Sequence, residues 1–445
     1  MSTPGIAPST IRITPPAQLR GEIAIPGDKS ITHRALIFNA LAEGESRIEG
    51  FLDAGDTRST LECMRSLGAV IEQKSPTTLT IRGHGRTGLH ESSSVLDCGN
   101  SGTSIRLLSG LLAGLPFFSV LTGDESLRSR PMGRIVEPLG ILGAQISARA
   151  HGTYPPIVVE GGVIAGGQRI ETRVASAQVK SALLLAALAA DGPTTIVEPE
   201  HTRDHTERML SAMGATISNN GTSITLRPPS GDLQAIDVDV PGDISTAAGW
   251  IIAATIHPDA DLLLTGVGLN PTRAGVIDIL SEMGAQIEKL EQRTVGGEPI
   301  ADLRVRSATL SGMIVDGDVI PRAIDELPLL ALAGTVAEGE TVIADAGELR
   351  VKESDRIAST AAVLRALGAE VEERPDGLAV AGGTALRGGR IEAAGDHRLA
   401  ILGAVGALIA EGESEIVGAD VVSISYPEFW VELGYLGATP SITRG

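Results

Sequence analysis

Arg65-Ser66-Leu67-Gly68-Ala69-Val70-Ile71 decides the fold, because its central tripeptide returns five more times, at Leu142-Gly143-Ala144, Met213-Gly214-Ala215, Met283-Gly284-Ala285, Leu367-Gly368-Ala369 and Leu436-Gly437-Ala438. Each copy closes an apolar pattern of helical period, and five of the six run on into a short strand-like stretch such as Gln286-Ile287 or Glu370-Val371. The glycine supplies the left-handed helix stop that a side chain would resist. A second series keeps step with the first: alanine-rich apolar helices opening near Ser30, Gly102, Ala177, Ile244, Asp325 and His397. Several end alike, as in Ala42-Glu43-Gly44-Glu45, Ala337-Glu338-Gly339-Glu340 and Ala410-Glu411-Gly412-Glu413, and then enter a strand. Each unit of roughly 70 residues thus carries one helix apolar nearly all round, one amphipathic helix and several short strands such as 78–82.

A helix without a polar face must be covered on every side, so three units are expected to pack as one lobe of an α/β fold, helices inside and sheets outside. Six units make two lobes. Ile25-Pro26-Gly27-Asp28 recurs as Val240-Pro241-Gly242-Asp243, each time before a buried helix, and Pro-Gly suits a hinge. The lobes are therefore placed at 27–240 and 241–445, the second completed by a strand from within 1–26.

A length of 445 residues fits two to four domains, and 42% hydrophobic with 20% charged residues fits a globular chain. The longest apolar run, 182–190, is far short of the roughly 20 residues of a membrane-spanning helix. Residues 1–20 are rich in Pro, Ser and Thr and lack a basic and then apolar secretory leader, so a cytoplasmic location and no membrane contact are expected. Two cysteines, Cys63 and Cys98, make neither a disulfide framework nor a four-cysteine zinc site, and buried free thiols are expected. A net charge of −19 argues against nucleic-acid binding. Any anionic substrate must meet a local basic cluster that runs against the global field.

Such clusters stand at the starts of the buried helices: Lys29-Ser30 with Arg34, Asn100-Ser101-Gly102-Thr103, Ser176 with Gln178 and Lys180, Asp325-Glu326, and Asp396-His397-Arg398. A solenoid scaffold would have no use for them, whereas helix N-termini with free amides are anion sites. If the helix starts of the two lobes point at each other, a small, multiply anionic substrate pair is the expected occupant.

Pro26-Gly27-Asp28-Lys29-Ser30-Ile31-Thr32-His33-Arg34, Gly99-Asn100-Ser101-Gly102-Thr103, Arg130-Pro131-Met132, Ser176-Ala177-Gln178-Val179-Lys180-Ser181, Thr202-Arg203-Asp204-His205-Thr206-Glu207, Asp325-Glu326, Arg350-Val351-Lys352-Glu353-Ser354-Asp355-Arg356 and Asp396-His397-Arg398 together carry a resemblance that none carries alone. The chain resembles the 5-enolpyruvylshikimate-3-phosphate synthases from about residue 12 onward, and looks closest to the second of their two sequence classes through Ser-Ala-Gln and Thr-Arg-Asp-His-Thr-Glu. The resemblance implies the enolpyruvyl transferase fold, a two-lobed inside-out α/β barrel of six βαβαββ units, three per lobe. It also implies the reaction of shikimate 3-phosphate with phosphoenolpyruvate, in chorismate and aromatic amino-acid biosynthesis, with no metal and no organic cofactor.

By the family's pattern, Lys29 reaches both substrates and acts in catalysis, while Ser30 and Arg34 take the shikimate carboxylate. Ser176, Ala177, Gln178 and Arg203 hold shikimate 3-phosphate and its phosphate. Arg130, with Asn100 and Gly102, grips the phosphate of phosphoenolpyruvate, which Gln178 also touches, and Arg356 and Arg398 fork its carboxylate. Asp325 is the expected base, Lys352 its neighbour at the shikimate hydroxyls, and Glu353 the expected proton relay to the vinyl carbon. The N-terminal lobe thereby mainly binds shikimate 3-phosphate, and the C-terminal lobe brings the carboxylates and the guanidinium fork. Ile424-Ser425-Tyr426-Pro427 stands where first-class enzymes carry a lysine, so no catalytic cation is assigned there. His33 and His397 are read as packing and capping side chains.

The sister activity on a UDP-amino sugar, the UDP-N-acetylglucosamine enolpyruvyl transferases, is disfavoured: their loop cysteine is missing from Ser126-Leu127-Arg128-Ser129-Arg130, and Cys98 lies on another loop. Glyphosate, which occupies the phosphoenolpyruvate site in this family, is an expected inhibitor, because position 102 is glycine where tolerant second-class enzymes often have alanine. Leu107, where sensitive first-class enzymes tend to have proline, weighs the other way. A monomer is expected.

Overall fold

The computed structural model describes residues 9–444, and residues 1–8 of the Pro-, Ser- and Thr-rich N-terminal stretch lie outside the described residues. The chain divides into two compact units, one of residues 27–241 with 294–298, the other of residues up to 26, 242–293 and 299 onward. Six helices of seven or more residues belong to the first: α1 (Lys29–Leu41), α2 (Gly55–Ser66), α3 (Gly102–Ala113), α4 (Gly133–Ile141), α5 (Ala177–Ala187) and α6 (His205–Ala212). Six of that length belong to the second: α7 (Ile244–Ile256), α8 (Gly275–Met283), α9 (Leu327–Val336), α10 (Arg356–Ala366), α11 (His397–Ala407) and α12 (Phe429–Tyr435).

The odd-numbered helices are the enclosed ones. In α1 every residue from Ile31 to Leu41 is buried, and in α9 every residue from Leu327 to Thr335. The even-numbered helices bury one side only; α4 buries Ile135 and Leu139. Each even helix ends at one of the six repeated tripeptides, whose glycines all have φ between +87° and +104°. At Gly214 and Gly368 no heavy atom lies within 4 Å of where a Cβ would stand, so backbone conformation and not crowding selects glycine there.

Six four-stranded sheets cover the helices. Each pairs one short parallel strand with an antiparallel trio, as in Leu96–Asp97, Phe118–Thr122, Tyr154–Glu160 and Gln145–Ala148. Three sheets recruit a strand from afar. Val238–Asp239 is the edge strand beside Glu43–Glu49, Leu19–Ala24 lies parallel to Ala260–Gly268, and Ser9–Ile13 runs between Ser414–Val417 and Ser441–Arg444. Among the described residues no helix is long and apolar enough to cross a membrane.

Each unit has its own apolar core. In the first, α3 and α5 approach to backbone contact at Gly110, where a Cβ would fall 2.1 Å from the Ala182 carbonyl oxygen. A buried ion cluster lies there: Lys180, on α5, is 1% exposed, its Nζ 2.9 Å from Glu198 and 2.8 Å from Glu207, and it donates to the Thr202 carbonyl. Cys63 and Cys98 are buried free thiols.

Gly110→Ala is expected to lower the urea midpoint by a destabilisation of ~1–3 kcal/mol, the range for overpacking. Gly140→Ala, an exposed helical position with open space around its Cβ, is expected to be neutral or stabilising by up to ~1 kcal/mol. Equal loss in both variants would refute the close-approach reading.

Burial holds the Glu207 carboxyl above its ordinary value in spite of the lysine beside it. A carboxyl raised in the folded state binds its proton more tightly there than in the unfolded chain, so its contribution falls as pH rises through the folded value. Lys180→Met leaves two enclosed carboxylates without their cation, an expected cost of ~3–5 kcal/mol at pH 8 that shrinks toward pH 5 as Glu207 takes up a proton. Urea midpoints at the two pH values check this, and a pH-independent loss would contradict it.

Candidate active site

In the unit of residues 27–241, the candidate residues gather where buried helices begin. Asp28 caps α1 through Ile31 N, and Ser101 caps α3 through Ser104 N. Ser176 begins α5 without a capping bond from its hydroxyl. Lys29 follows its cap and pairs with Asp56 at 2.9 Å. Arg34, one turn on and 2% exposed, donates from Nε to Thr206 Oγ1 and from Nη2 to Ser181 Oγ, each at 2.7 Å, and from Nη1 to the Ser30 carbonyl at 2.9 Å. This guanidinium ties the starts of α1, α5 and α6 together. Arg203 is half-buried in the segment that leads into α6.

Two cations meet at the start of α3. A Cβ on Gly102 would lie 3.2 Å from an Nη1 of Arg106 and 3.2 Å from an Nη1 of Arg130. Two guanidiniums therefore stand over the first turn of a helix whose N-terminal dipole has the same sign. Arg130 donates to Asn100 Oδ1 at 2.5 Å, and Asn100 in turn donates to Asp124 at 2.7 Å. Arg106 donates to Gln178 Oε1, and Gln178 donates to Thr103 Oγ1 at 2.9 Å, which joins α3 to α5. Cations brought this close repel one another, and an anion between them relieves the repulsion.

In the other unit the same principle works with the charges reversed at the centre. The Asp325 carboxylate, just ahead of α9, lies 3.6 Å from Lys352 Nζ, 3.3 Å from Arg356 Nη1 and 3.9 Å from Arg398 Nη2. Arg398 also donates to the Asp325 carbonyl at 3.1 Å. Arg356 is 2% exposed and engages carboxylates from all three nitrogens: Nε to Asp396 at 2.8 Å, Nη2 to Glu353 at 2.6 Å, and Nη1 to Asp325. Burial works against its charge, but Glu353, Asp396 and Asp325 outweigh burial and hold the guanidinium charged well above its ordinary value. Burial likewise opposes the charge of Asp396, and Arg356 overrides it, holding the acid below the ordinary carboxylate range. Asp396 also caps α11 through Arg398 N at 3.0 Å, so one carboxylate orients two arginines.

Lys29, Ser30, Arg34, Asn100, Gly102, Arg130, Ser176, Ala177, Gln178 and Arg203 thus belong to one unit, and Asp325, Lys352, Glu353, Arg356 and Arg398 to the other. One residue read as part of a polar helix start departs from that reading: Lys180 faces inward onto Glu198 and Glu207, because it lies a full turn inside α5. His33 is buried with Nδ1 2.7 Å from Thr60 Oγ1, and burial lowers its pKa to about 3, which makes it a neutral packing residue. A hydrogen bond with Cys63, together with burial, raises the Cys98 thiol well above its ordinary value and keeps it protonated, unsuited to attack. Sequence reasoning missed Arg106, Asp56 and Arg273. For Arg106 a signal exists: it is the one charge on an otherwise apolar helix, one turn beyond Gly102.

Residues 13–433 match the family model described as EPSP synthase (3-phosphoshikimate 1-carboxyvinyltransferase). A 3-phosphoshikimate 1-carboxyvinyltransferase of Roseiflexus sp. (strain RS-1) is 54% identical over 421 residues, 94% of this chain and 97% of that one. One from Syntrophomonas wolfei is 52% identical, covering 93% and 96%. Among solved structures, an EPSP synthase from Acinetobacter baumannii superposes with a TM-score of 0.88 at 42% identity, over 98% of this chain and all of that one. The enolpyruvyl transferase NikO from Streptomyces tendae, at 21% identity, shares the fold with a TM-score of 0.80 over 99% of this chain and all of that one. The chain has the two-lobed α/β fold of the enolpyruvyl transferases and belongs to the EPSP synthase family.

Proposed function

We propose that the chain transfers the enolpyruvyl group of phosphoenolpyruvate to the 5-hydroxyl of shikimate 3-phosphate and releases phosphate, as a 3-phosphoshikimate 1-carboxyvinyltransferase of chorismate and aromatic amino-acid biosynthesis. The observation that carries this reading is the Asp325 carboxylate set among Lys352, Arg356 and Arg398, with Glu353 on the far side of Arg356. An acid and a base side by side, each bound to cations, suit a reaction that protonates one carbon while deprotonating a hydroxyl.

The addition joins the 5-oxygen of shikimate 3-phosphate to C2 of phosphoenolpyruvate while C3 gains a proton, giving a tetrahedral ketal phosphate. Elimination returns a proton from C3 and breaks the C2–O bond to phosphate. In this reading Asp325 takes the hydroxyl proton, Glu353 carries the proton to and from C3, and Lys29 serves the departing phosphate. Arg130, with the amides around Asn100 and Gly102, receives that phosphate, and the Arg106 guanidinium beside it supports the assignment. Arg356 and Arg398 take the carboxylate of phosphoenolpyruvate. For Arg356 the incoming carboxylate has to exchange with one already present, and Glu353 is the partner with the greater exposure, 25% against 0% for Asp396. Ser30, Arg34, Ser176, Ala177, Gln178, Arg203 and Lys352 hold shikimate 3-phosphate. The protonated, buried Cys98 and the absence of cysteine from 126–130 disfavour the UDP-N-acetylglucosamine activity. Two buried free cysteines suit a cytoplasmic enzyme, and a monomer is the proposed state.

Phosphate release is expected only when both substrates are present, and Asp325→Asn and Glu353→Gln are each expected to lower kcat by about 10²–10⁴-fold with shikimate 3-phosphate affinity largely kept. Release with either substrate alone would refute the assignment, and full activity in one variant would remove that residue from the mechanism.

Glyphosate, longer than phosphoenolpyruvate, is proposed to compete with it. A methyl group at position 102 would press on two guanidinium ends at 3.2 Å, a space too tight to leave the longer ligand its room. Inhibition curves at fixed phosphoenolpyruvate are expected to show sensitivity in the native protein and marked tolerance in Gly102→Ala. Equal inhibition of the two would show that this space does not control the site.

A further inference from the structure

Asp325 has a neighbour whose chemistry the proposed reaction does not use. Glu326 is 0% exposed, and a carboxylate so enclosed is costly unless it is matched by charge and hydrogen bonds. Its Oε1 accepts from the Ser245 hydroxyl and lies 3.9 Å from guanidinium nitrogens of both Arg273 and Arg398. Arg273, itself buried, is anchored to Asp243 at 3.3 Å and to the same serine. Asp243 caps α7 through Ser245 N at 2.8 Å. One oxygen of one buried acid thus stands among the starts of α7, α9 and α11.

We infer that Glu326, backed by Arg273, is a positioning residue that sets the aim of Arg398. The inference rests on the reading in which Arg398 holds the carboxylate of phosphoenolpyruvate. Arg398 is clamped on its inner side by residues 325 and 326 together: the Asp325 carbonyl accepts from Nη1, and the two carboxylates lie within 3.9 Å. Arg273 has Asp243 and Arg398 has Asp325 on one side, and between the two guanidiniums stands the carboxylate they share, Glu326. Remove its charge and two things follow. Arg273 and Arg398 repel, and Arg398 turns to the one carboxylate left beside it, Asp325, so that a ligand group and the proposed base mask each other. Arg273 is needed because a lone Glu326–Arg398 pair would neutralise the very charge that the substrate has to meet.

Glu326→Gln keeps the shape and the hydrogen bond to Ser245 and deletes only the charge. It is expected to raise KM for phosphoenolpyruvate by about 10-fold, a size usual for coupling between residues of one charge network, with KM for shikimate 3-phosphate unchanged. In Glu326→Gln with Arg273→Met the second cation is gone as well, and KM for phosphoenolpyruvate is expected to recover part of the loss. A normal KM in Glu326→Gln overturns the inference, as does an equal rise for both substrates alongside a lowered Tm, the mark of a merely structural role. If that variant does not fold, Arg273→Lys, which keeps the charge and loses the fork, is read in its place: KM for phosphoenolpyruvate alone should rise, and an unchanged value overturns the inference. Arg398→Ala separates the two levels. An unchanged KM for phosphoenolpyruvate there removes Arg398 from the substrate and the inference with it, whereas a raised value with a normal Glu326→Gln overturns the inference alone.

Discussion

A helix that is apolar on every side has only its ends to offer. Six helices of this kind, three in each unit, fix almost everything else about the chain: they require sheets to cover them, amphipathic helices to fill the corners, and a polar arrangement at the one place where their amides emerge. Four of the six begin at a residue whose side chain closes the first turn, namely Asp28, Ser101, Asp243 and Asp396. The other two, α5 and α9, begin at Ser176 and Glu326 with no such bond. Three of the capped starts, at Asp28, Ser101 and Asp396, adjoin residues proposed to hold substrate just as Ser176 does, so a cap does not by itself take a helix start out of use.

Charge inside the units follows a simple economy. Lys180, Arg34 and Arg356 are all nearly inaccessible, and each is surrounded by acceptors from at least two segments remote in sequence. Enclosed ions without such partners would cost several kcal/mol each. Elsewhere charges of one sign converge on a single point. Around Gly102 two guanidiniums share one helix start, and around Asp325 three cations share one acid.

The helices and their stops were legible in the sequence because both signals are local. Apolar period and a glycine with positive φ can be read within a dozen residues, and all six glycines adopt that conformation. Sheet membership was legible only in outline. Edge strands such as Leu96–Asp97 and Ile314–Val315 are two residues long, too short for any alternation to show, and Ser9–Ile13 finds its partners some four hundred residues away. The same distinction holds at the site. Residues within motifs stood out together, whereas Arg273 and Asp56 owe their importance to partners that no spacing reveals. Lys180 and Gln178 look equivalent as polar residues opening one helix, yet half a turn of rotation sends one to Arg106 and the other into the core.

The strand Ser9–Ile13 also dictates an order of events at the ribosome. Its hydrogen-bonding edges are filled by Ser414–Val417 on one side and Ser441–Arg444 on the other. At a synthesis rate of roughly 5–20 residues per second, the segment waits on the order of tens of seconds for the first of those neighbours. Throughout that interval Ile11 and Ile13, both enclosed in the finished protein, have no core to enter, and the segment must be kept from pairing with the edge of another chain. Its alternation with Thr10 and Arg12 breaks the apolar run, the pattern expected of a strand that must stay soluble before it can be used.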